Sequence, residues 1–243
     1  MAELVRYEIK DEIAVVTVDN PPVNALSPGV PEGIEAGVVR AAADPAVKGV
    51  VLIGAGTTFI AGADIRYFET IQDRAASLER SARLHALLRR IEDCPKPVVA
   101  AIHGTALGGG LEYAMACHFR VAVASARVGQ PEVLLGIIPG AGGTQRLPRL
   151  AGPAMALEMC TQGNHVLATR AAAEGIIDQI VEGDLLAGAI RFARAQAGPR
   201  PVRALTAKIA DRPTGLAACE ATRTALKKTA RCARAPYAAV DAI

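Results

Sequence analysis

Hydrophobic runs and amphipathic segments alternate along residues 11–147 of the chain. Uninterrupted apolar runs at 48–54 and 97–103 are typical of strands that are buried on both faces. Between them, 77–91 places leucine and isoleucine residues at helical spacing. The same reasoning predicts further strands at 11–19, 120–124 and 128–132, and further helices at 31–43 and from the glycines at 108–110 to about 118. This alternation predicts an α/β fold.

The remainder of the chain has a different character. Alanine-rich segments follow from Pro148 onward, and they predict a helical C-terminal region at 183–243 after a core at 1–182. Residues 198–201, Gly-Pro-Arg-Pro, predict a linker. The last segment stays helical up to Ile243 without a helix terminator, so we expect either a lost C-terminal element or a chain cut from something longer. Helices are predicted at 153–161, 169–174, 184–197 and 214–243.

Composition and charge narrow the class of protein. Hydrophobic residues make up 51% of the 243 residues but Trp is absent, so the core must be built from Ala, Val, Ile and Leu. The net charge is +3 and charges of both signs are interspersed, so the sequence has no basic tail or block of the kind that binds nucleic acid. No apolar stretch reaches the ~18 residues of a membrane span. The charged N-terminus also lacks the apolar segment of a secretory signal.

The cysteines and histidines are isolated from one another. Five cysteines without C-x-x-C spacing favour reduced thiols in a cytoplasm-like compartment over disulfides or a zinc site. The four histidines have no ligand spacing with acidic residues, so structural roles are favoured for them. We therefore expect no metal and a cytoplasmic location.

Glycine-rich turns invite comparison with nucleotide-binding motifs, and they do not match. The third glycine of a G-x-G-x-x-G pattern is replaced by Phe59 in one turn and by Gln145 in another. No G-K dipeptide occurs, which excludes a P-loop, and a dinucleotide site is not expected. The absence of G-x-S-x-G and H-E-x-x-H weakens serine-hydrolase and zinc-protease interpretations.

Four other segments carry chemistry. They are N-P-P-V-N-A-L-S at 20–27, T-T-F-I-A-G-A-D-I at 57–65, A-L-G-G-G-L-E at 106–112 and G-Q-P-E-V-L-L-G-I-I-P-G-A-G-G-T-Q-R-L at 129–147. In this order they resemble the crotonase superfamily, also called the enoyl-CoA hydratase/isomerase family, from the first strand to about Glu182. More narrowly, the N-P-P-V-N-A-L-S turn and A-R-V-G-Q-P-E at 126–132 resemble the hydratase/isomerase part of multifunctional fatty-acid β-oxidation proteins.

The resemblance implies a fold, an assembly and a location. The fold would be a spiral of ββα turns with a helical C-terminal region. Relatives assemble as trimers or hexamers, and in the multifunctional proteins a 3-hydroxyacyl-CoA dehydrogenase part follows. We expect a homotrimer or hexamer, or a covalent continuation into such a part. The location would be a peroxisomal type of compartment if the host is eukaryotic.

The resemblance also implies a reaction, the reversible addition of water to a 2-enoyl-CoA thioester. Negative charge then develops on the thioester oxygen and needs preorganised donors. The matching positions offer the backbone N–H groups of Ala63 and Gly109, the latter at a helix N-terminus that favours negative charge. Glu112 would orient and deprotonate the water, and Glu132 would exchange a proton with C2. Two carboxyl groups around one water would share a proton.

Further residues are implied to bind the coenzyme A portion of the substrate, and no separate cofactor is expected. Gly140 would help to hold the water through its N–H, and Arg66 is a candidate for the phosphates. The residues that would lie along coenzyme A are Pro22, Val23, Ala25, Ala61, Gly62, Asp64 and Ile65.

Other interpretations stay open at this point. A 3-enoyl to 2-enoyl-CoA isomerase would use the same groups, and the family also contains hydrolases, dehalogenases, decarboxylases and lyases. A non-catalytic acyl-CoA-binding domain of a larger complex is an alternative of another class. Each acidic residue also has a structural interpretation, Glu112 and Glu132 as residues of a helix start and Asp64 as an N-cap. The sequence does not define the acyl-chain length.

Overall fold

A computed structural model describes residues 4–64, 73–230 and 232–243. The described strands are β1 Val5–Lys10, β2 Ile13–Val18, β3 Gly49–Gly54, β4 Val98–Ile102, β5 Thr105–Leu107, β6 Phe119–Ala122, β7 Arg127–Gly129, β8 His165–Leu167 and β9 Gln179–Ile180. The described helices are α1 Val30–Ala43, α2 Arg74–Glu92, α3 Gly109–Ala116, α4 Gly143–Ala151, α5 Pro153–Gln162, α6 Ala168–Ala173, α7 Leu185–Arg194, α8 Arg212–Thr229 and α9 Ala235–Ala242.

The main sheet has the strand order β1-β2-β3-β4-β6-β9. β1 pairs antiparallel with β2, and the following pairs are all parallel. Parallel strands need long connections, and helices α1, α2 and α3 lie within the three segments that join β2, β3, β4 and β6. The predicted α/β class is therefore confirmed.

The central strands β2, β3, β4 and β6 are buried on both faces, as the uninterrupted apolar runs predict for β3 and β4. Alternate residues point to opposite faces: Val50 and Leu52 belong to the large core cluster, whereas Val51 belongs to a second cluster. The second cluster is closed by α7, through Leu185, Ala189, Ile190 and Ala193. α7 lies after residue 182, where the core is predicted to end, and it still covers one face of the sheet. The division of the chain into a core and a C-terminal region stays a prediction.

A second, three-stranded sheet has the order β5-β7-β8. It lies next to the glycine-rich start of α3, because β5 ends one residue before Gly108 and the Gly108 N–H donates to the carbonyl oxygen of Gly129 on β7 (2.9 Å). The last two helices pack on α5 through a small cluster of Leu157, Leu226 and Val240.

One predicted strand ends earlier than expected. The segment 128–132 was expected to be extended, but β7 ends at Gly129 and a 3-10 helix spans Pro131–Leu135. Proline has no N–H to give to a sheet and its fixed φ suits the first position of a helix, so Pro131 ends the strand. Glu132 therefore projects from a helical turn.

His118 is buried away from the motifs and has structural partners. Nδ1 of His118 accepts from the Val98 N–H (3.0 Å) and its Nε2 lies 3.0 Å from the Glu92 carbonyl oxygen. Burial lowers the pKa of His118, which agrees with a neutral ring that donates to that carbonyl. Within the described ranges, no helix combines the length and apolar character needed to cross a bilayer.

Candidate active site

Three consecutive glycines let the start of α3 pack against the loop formed by residues 57–64. Gly108 has φ 50°, a conformation that residues with a Cβ rarely adopt. A Cβ placed on Gly110 would lie 2.0 Å from the carbonyl oxygen of Ile60, which is impossible without movement. The glycines thus bring the N-terminus of α3 onto the 57–64 loop.

The same contact brings Ala63 and Gly109 together. A Cβ built on Gly109 would lie 3.6 Å from the backbone nitrogen of Ala63. Ala63 is itself fixed by a bridge to Leu26, whose N–H donates to the Gly62 carbonyl oxygen (2.9 Å). Two backbone N–H groups from separate loops are therefore neighbours, and both residues line one cavity.

Glu112 lies one turn into α3 and is held by a second loop. Its Oε1 accepts hydrogen bonds from the N–H groups of Ala141 and Gly143, each at 2.7 Å. The residue is only 3% exposed. Burial raises the pKa of Glu112 to about 7, although the two amides and the charge of Arg146 act in the opposite direction.

Glu132 approaches from the other side of the glycine run. A Cβ on Gly108 would lie 3.0 Å from Oε1 of Glu132. With the amide of Gln130 oriented to satisfy its hydrogen bonds, its nitrogen donates to Oε1 and Oε2 of Glu132 at 2.9 and 3.1 Å. Burial, followed by the charge of Glu112, raises the pKa of Glu132 to about 8. The two carboxyl groups therefore interact electrostatically.

One cavity of about 740 Å³ connects these groups. Such a volume suits a ligand of small-molecule size. Its walls are mostly apolar, with leucine and isoleucine residues beside the carboxyl groups. Lining residues include Ala61, Gly62, Ala63, Gly109, Glu112, Glu132 and Gly140. The arrangement offers two adjacent amide donors and two protonatable carboxyl groups in a mostly apolar cavity.

The comparisons with known proteins can be placed on this geometry. The family described as Enoyl-CoA hydratase/isomerase matches residues 8–231. The chain belongs to this family. The match extends beyond Glu182, where the resemblance of the motifs is expected to end. It includes α7 and α8 and ends before α9.

Relatives in the enoyl-CoA hydratase/isomerase family are of two sizes. A peroxisomal bifunctional enzyme of Danio rerio is 46% identical over 243 residues, 99% of this chain and 33% of the relative. A probable enoyl-CoA hydratase of Bacillus subtilis (strain 168) is 46% identical over 165 residues, 68% of this chain and 64% of the relative. The chain thus spans about a third of the length of the larger relative.

Solved structures of other proteins share the fold. An enoyl-CoA hydratase from Bacillus anthracis superposes with a TM-score of 0.74 at 31% identity, covering 93% of this chain and 92% of the other. Pseudomonas aeruginosa DspI gives a TM-score of 0.75 at 31% identity, with coverages of 94% and 86%. The crotonase-like fold with its helical C-terminal region is therefore confirmed.

The residues predicted to lie along coenzyme A come from two segments that run side by side. The Ala61 N–H donates to the Val23 carbonyl oxygen (3.1 Å), and Oγ of Ser27 donates to Oδ2 of Asp64 (3.0 Å). Ala61 and Gly62 line the cavity, whereas Pro22, Val23, Ala25 and Asp64 are outside its lining. Ile65 and Arg66 lie outside the described residues. Gly140 lines the cavity, but the amides that bind Glu112 belong to Ala141 and Gly143.

Sequence reasoning missed several buried polar side chains, and three of them contact Glu132, the loop that binds Glu112, or each other. Gln130, Glu92 and Arg146 are 0%, 2% and 9% exposed. Gln130 and Arg146 stand inside the quoted motif 129–147, and this position is a signal that could have marked them. Glu92 ends an ordinary amphipathic helix and carries no such signal.

Proposed function

We propose that this chain catalyses the reversible syn hydration of 2-trans-enoyl-CoA to 3-hydroxyacyl-CoA in fatty-acid β-oxidation. The observation that carries the proposal is the position of Glu112 and Glu132 beside the adjacent amides of Ala63 and Gly109 in one cavity. The substrate class is the one expected from the resemblance, and the name of the relative from Bacillus subtilis agrees with it.

In the hydration step, a water held by Glu112 attacks C3 of the enoyl group. The new C3–O bond forms as a water proton moves to the Glu112 carboxylate. The π electrons shift through C2 to the thioester oxygen, and protonated Glu132 then gives its proton to C2. Water and thioester are the only reactants, and a proton passes from Glu112 back to Glu132 before the next turnover.

The amides of Ala63 and Gly109 would stabilise the enolate oxygen. Backbone N–H groups are fixed in direction, so they need not reorganise as charge develops. The N-terminal end of α3 adds a favourable dipole at Gly109. Loss of one such donor typically lowers the rate by about 10²–10³-fold.

The test follows crotonyl-CoA turnover by the loss of enoyl-thioester absorbance. We expect turnover by the wild type, and a fall of kcat by at least about 10²-fold in Glu112→Gln and Glu132→Gln because each removes an acid–base group. Glu158→Gln is the matched control, since Glu158 pairs with Arg170 outside the cavity lining. A wild type that binds enoyl-CoA and turns over none would contradict the proposal and favour a binding domain.

A second assay separates hydration from double-bond migration. If a 3-enoyl-CoA substrate is isomerised and the 2-enoyl-CoA is not hydrated, an isomerase replaces the proposed hydratase.

We further propose that the protein is located in the cytoplasm, or in the peroxisome of a eukaryotic host. We also propose that it assembles as a homotrimer or hexamer, unless the chain continues into a dehydrogenase part. Sedimentation and localisation of a tagged chain test these two points.

A further inference from the structure

The loop 139–143 carries the amides that bind Glu112, and the loop is supported by Arg146. Nη1 of Arg146 donates to the carbonyl oxygen of Ala141 (3.1 Å), so Ala141 is held at both of its polar backbone atoms. Arg146 also lies across Gly142, where a Cβ would be 2.4 Å from Nη1. The guanidinium group therefore contacts the loop at two successive residues.

Glu92 fixes the guanidinium group from the opposite direction. Nη2 of Arg146 donates to Oε2 of Glu92 (3.0 Å), and the two side chains are 11% and 2% exposed. Oε1 of Glu92 in turn accepts from the Arg203 N–H (2.8 Å). A buried guanidinium needs a counter-charge and hydrogen-bond acceptors, and Glu92 with Ala141 supplies both.

We propose that Arg146, held by Glu92, is a positioning residue that keeps the amides of Ala141 and Gly143 directed at Glu112. This inference rests on the proposed function, in which Glu112 accepts a proton from water. Arg146 is outside the cavity lining, so it acts through the loop and not on the substrate.

Titratable and charged groups around Glu112 come from several elements. Glu132 belongs to the 3-10 helix, Cys160 to α5, Tyr113 to α3 and Arg146 to α4. Burial is the main cause that raises the pKa of the first three groups, and the charge of Glu112 adds to it. Arg146 and the two loop amides act on Glu112 itself, and they lower its pKa against the effect of burial. Loss of Arg146 should therefore raise that pKa and leave less of the ionised form at neutral pH.

The experiment measures kcat and KM of the full chain with crotonyl-CoA between pH 5 and pH 10. For Arg146→Met we expect kcat to fall by about 10²-fold with little change in KM, because the catalytic carboxylate loses its alignment. The acid limb of the profile should move to higher pH. Arg146→Lys keeps the charge but not the planar fork, so it should restore the acid limb and only part of kcat.

Arg149→Met is the matched control. Arg149 lies one turn away in α4 and its Nη1 donates to the Gln145 carbonyl oxygen, without contact to the 139–143 loop. This variant should keep both kcat and the acid limb of the wild type.

A direct titration separates this inference from the proposed function. The ¹³C-labelled carboxyl group of Glu112, assigned by its loss in Glu112→Gln, should titrate at higher pH in Arg146→Met whether or not the chain hydrates enoyl-CoA. A silent wild type with this shift would refute the hydratase and support the positioning role. If Arg146→Met does not fold, Arg146→Gln takes its place with the same expected shift, because it removes the same charge. An unchanged titration and acid limb in a folded variant would overturn the inference, even with a lower kcat.

Discussion

The raised pKa of Glu132 links the protonation of this residue to the stability of the folded chain. Its carboxyl group is shielded from water beside Glu112, and its pKa is raised from 4.5 to about 8 by burial first and by that neighbouring charge second. Between these values the folded chain keeps a proton that the unfolded chain releases. The favourable contribution to stability is therefore complete below pH 4.5 and is lost as the pH rises through about 8.

This linkage predicts the stability of Glu132→Gln as a function of pH. The amide is a neutral isostere that mimics the protonated acid, so the variant should match the wild type near pH 4.5. Its Tm should exceed that of the wild type by a few degrees at pH 8.5, with the gap opening between the two pKa values and constant above them. Thermal denaturation followed by circular dichroism across this range measures the gap.

The control for this titration is Glu158→Gln, which removes a carboxylate that is paired with Arg170 on the surface. Its Tm difference from the wild type should be small and should not vary between pH 5 and pH 9. A gap for Glu132→Gln that is equally large at pH 5 and pH 8.5 would show that the carboxyl group is not protonated in the folded chain.

At the scale of elements, the position of α3 depends on a backbone contact that tolerates no Cβ. Gly110→Ala would place its methyl group 2.0 Å from the Ile60 carbonyl oxygen, so α3 must move away from the 57–64 loop. We expect a loss of about 1–3 kcal/mol of folding free energy and a fall in kcat, because Gly109 would separate from Ala63. Chemical denaturation and crotonyl-CoA turnover check the two effects.

Gly198→Ala is the companion variant for this prediction. No atom lies within 4 Å of the Cβ that it would introduce, so its stability and turnover should equal those of the wild type. Wild-type behaviour of Gly110→Ala as well would mean that α3 can shift without cost, and the argument for the triple glycine would fail.

The elements that could be predicted from the sequence are those with long periodic signals. β3, β4, α1 and α2 were predicted because each buries a continuous apolar run or stripe. β5, β8 and β9 contain two or three residues, too few to show any period, and tertiary pairing alone makes them strands. β1 was missed because its sequence Val-Arg-Tyr-Glu-Ile-Lys is largely exposed on an edge. α4 was missed because Pro148 was taken as a boundary, although it lies inside the helix.

Some residues of the candidate site could be predicted from local motifs, whereas others depend on contacts between distant parts of the chain. Glu112, Glu132, Ala63 and Gly109 stand in motifs, and the resemblance identified them without coordinates; their roles stay predictions. The Glu92–Arg146 ion pair joins residues 54 positions apart, and each looks like a surface charge in its own helix. α2 and α4 both pack against α3, and this brings the two residues together. One sequence does not contain that information.

At the scale of the whole molecule, the cavity exists only when six distant parts of the chain come together. Its walls include residues near 26–32, 61–63, 77–87, 107–113 and 131–141, and the far end of the chain adds Arg234, Ala235 and Ala238. α9 is tied down at its last turn, where Nε2 of Gln145 donates to the Ala242 carbonyl oxygen (2.6 Å). The C-terminal helix is thus part of the wall of the site and not an appendage.

A side chain enlarged on α9 should therefore change which substrates fit. Ala238 lines the cavity, and Ala238→Phe would take up part of its 740 Å³. We expect kcat/KM to fall, and to fall more for long enoyl-CoA chains than for crotonyl-CoA, because the longer acyl group needs more of the volume. A kcat/KM series over acyl-chain length measures this, with Ala233→Phe as the control, since Ala233 is exposed and outside the cavity lining. If both variants give the wild-type series, α9 does not border the space that the acyl group occupies. The walls around the acyl group would then come from the other elements that line the cavity.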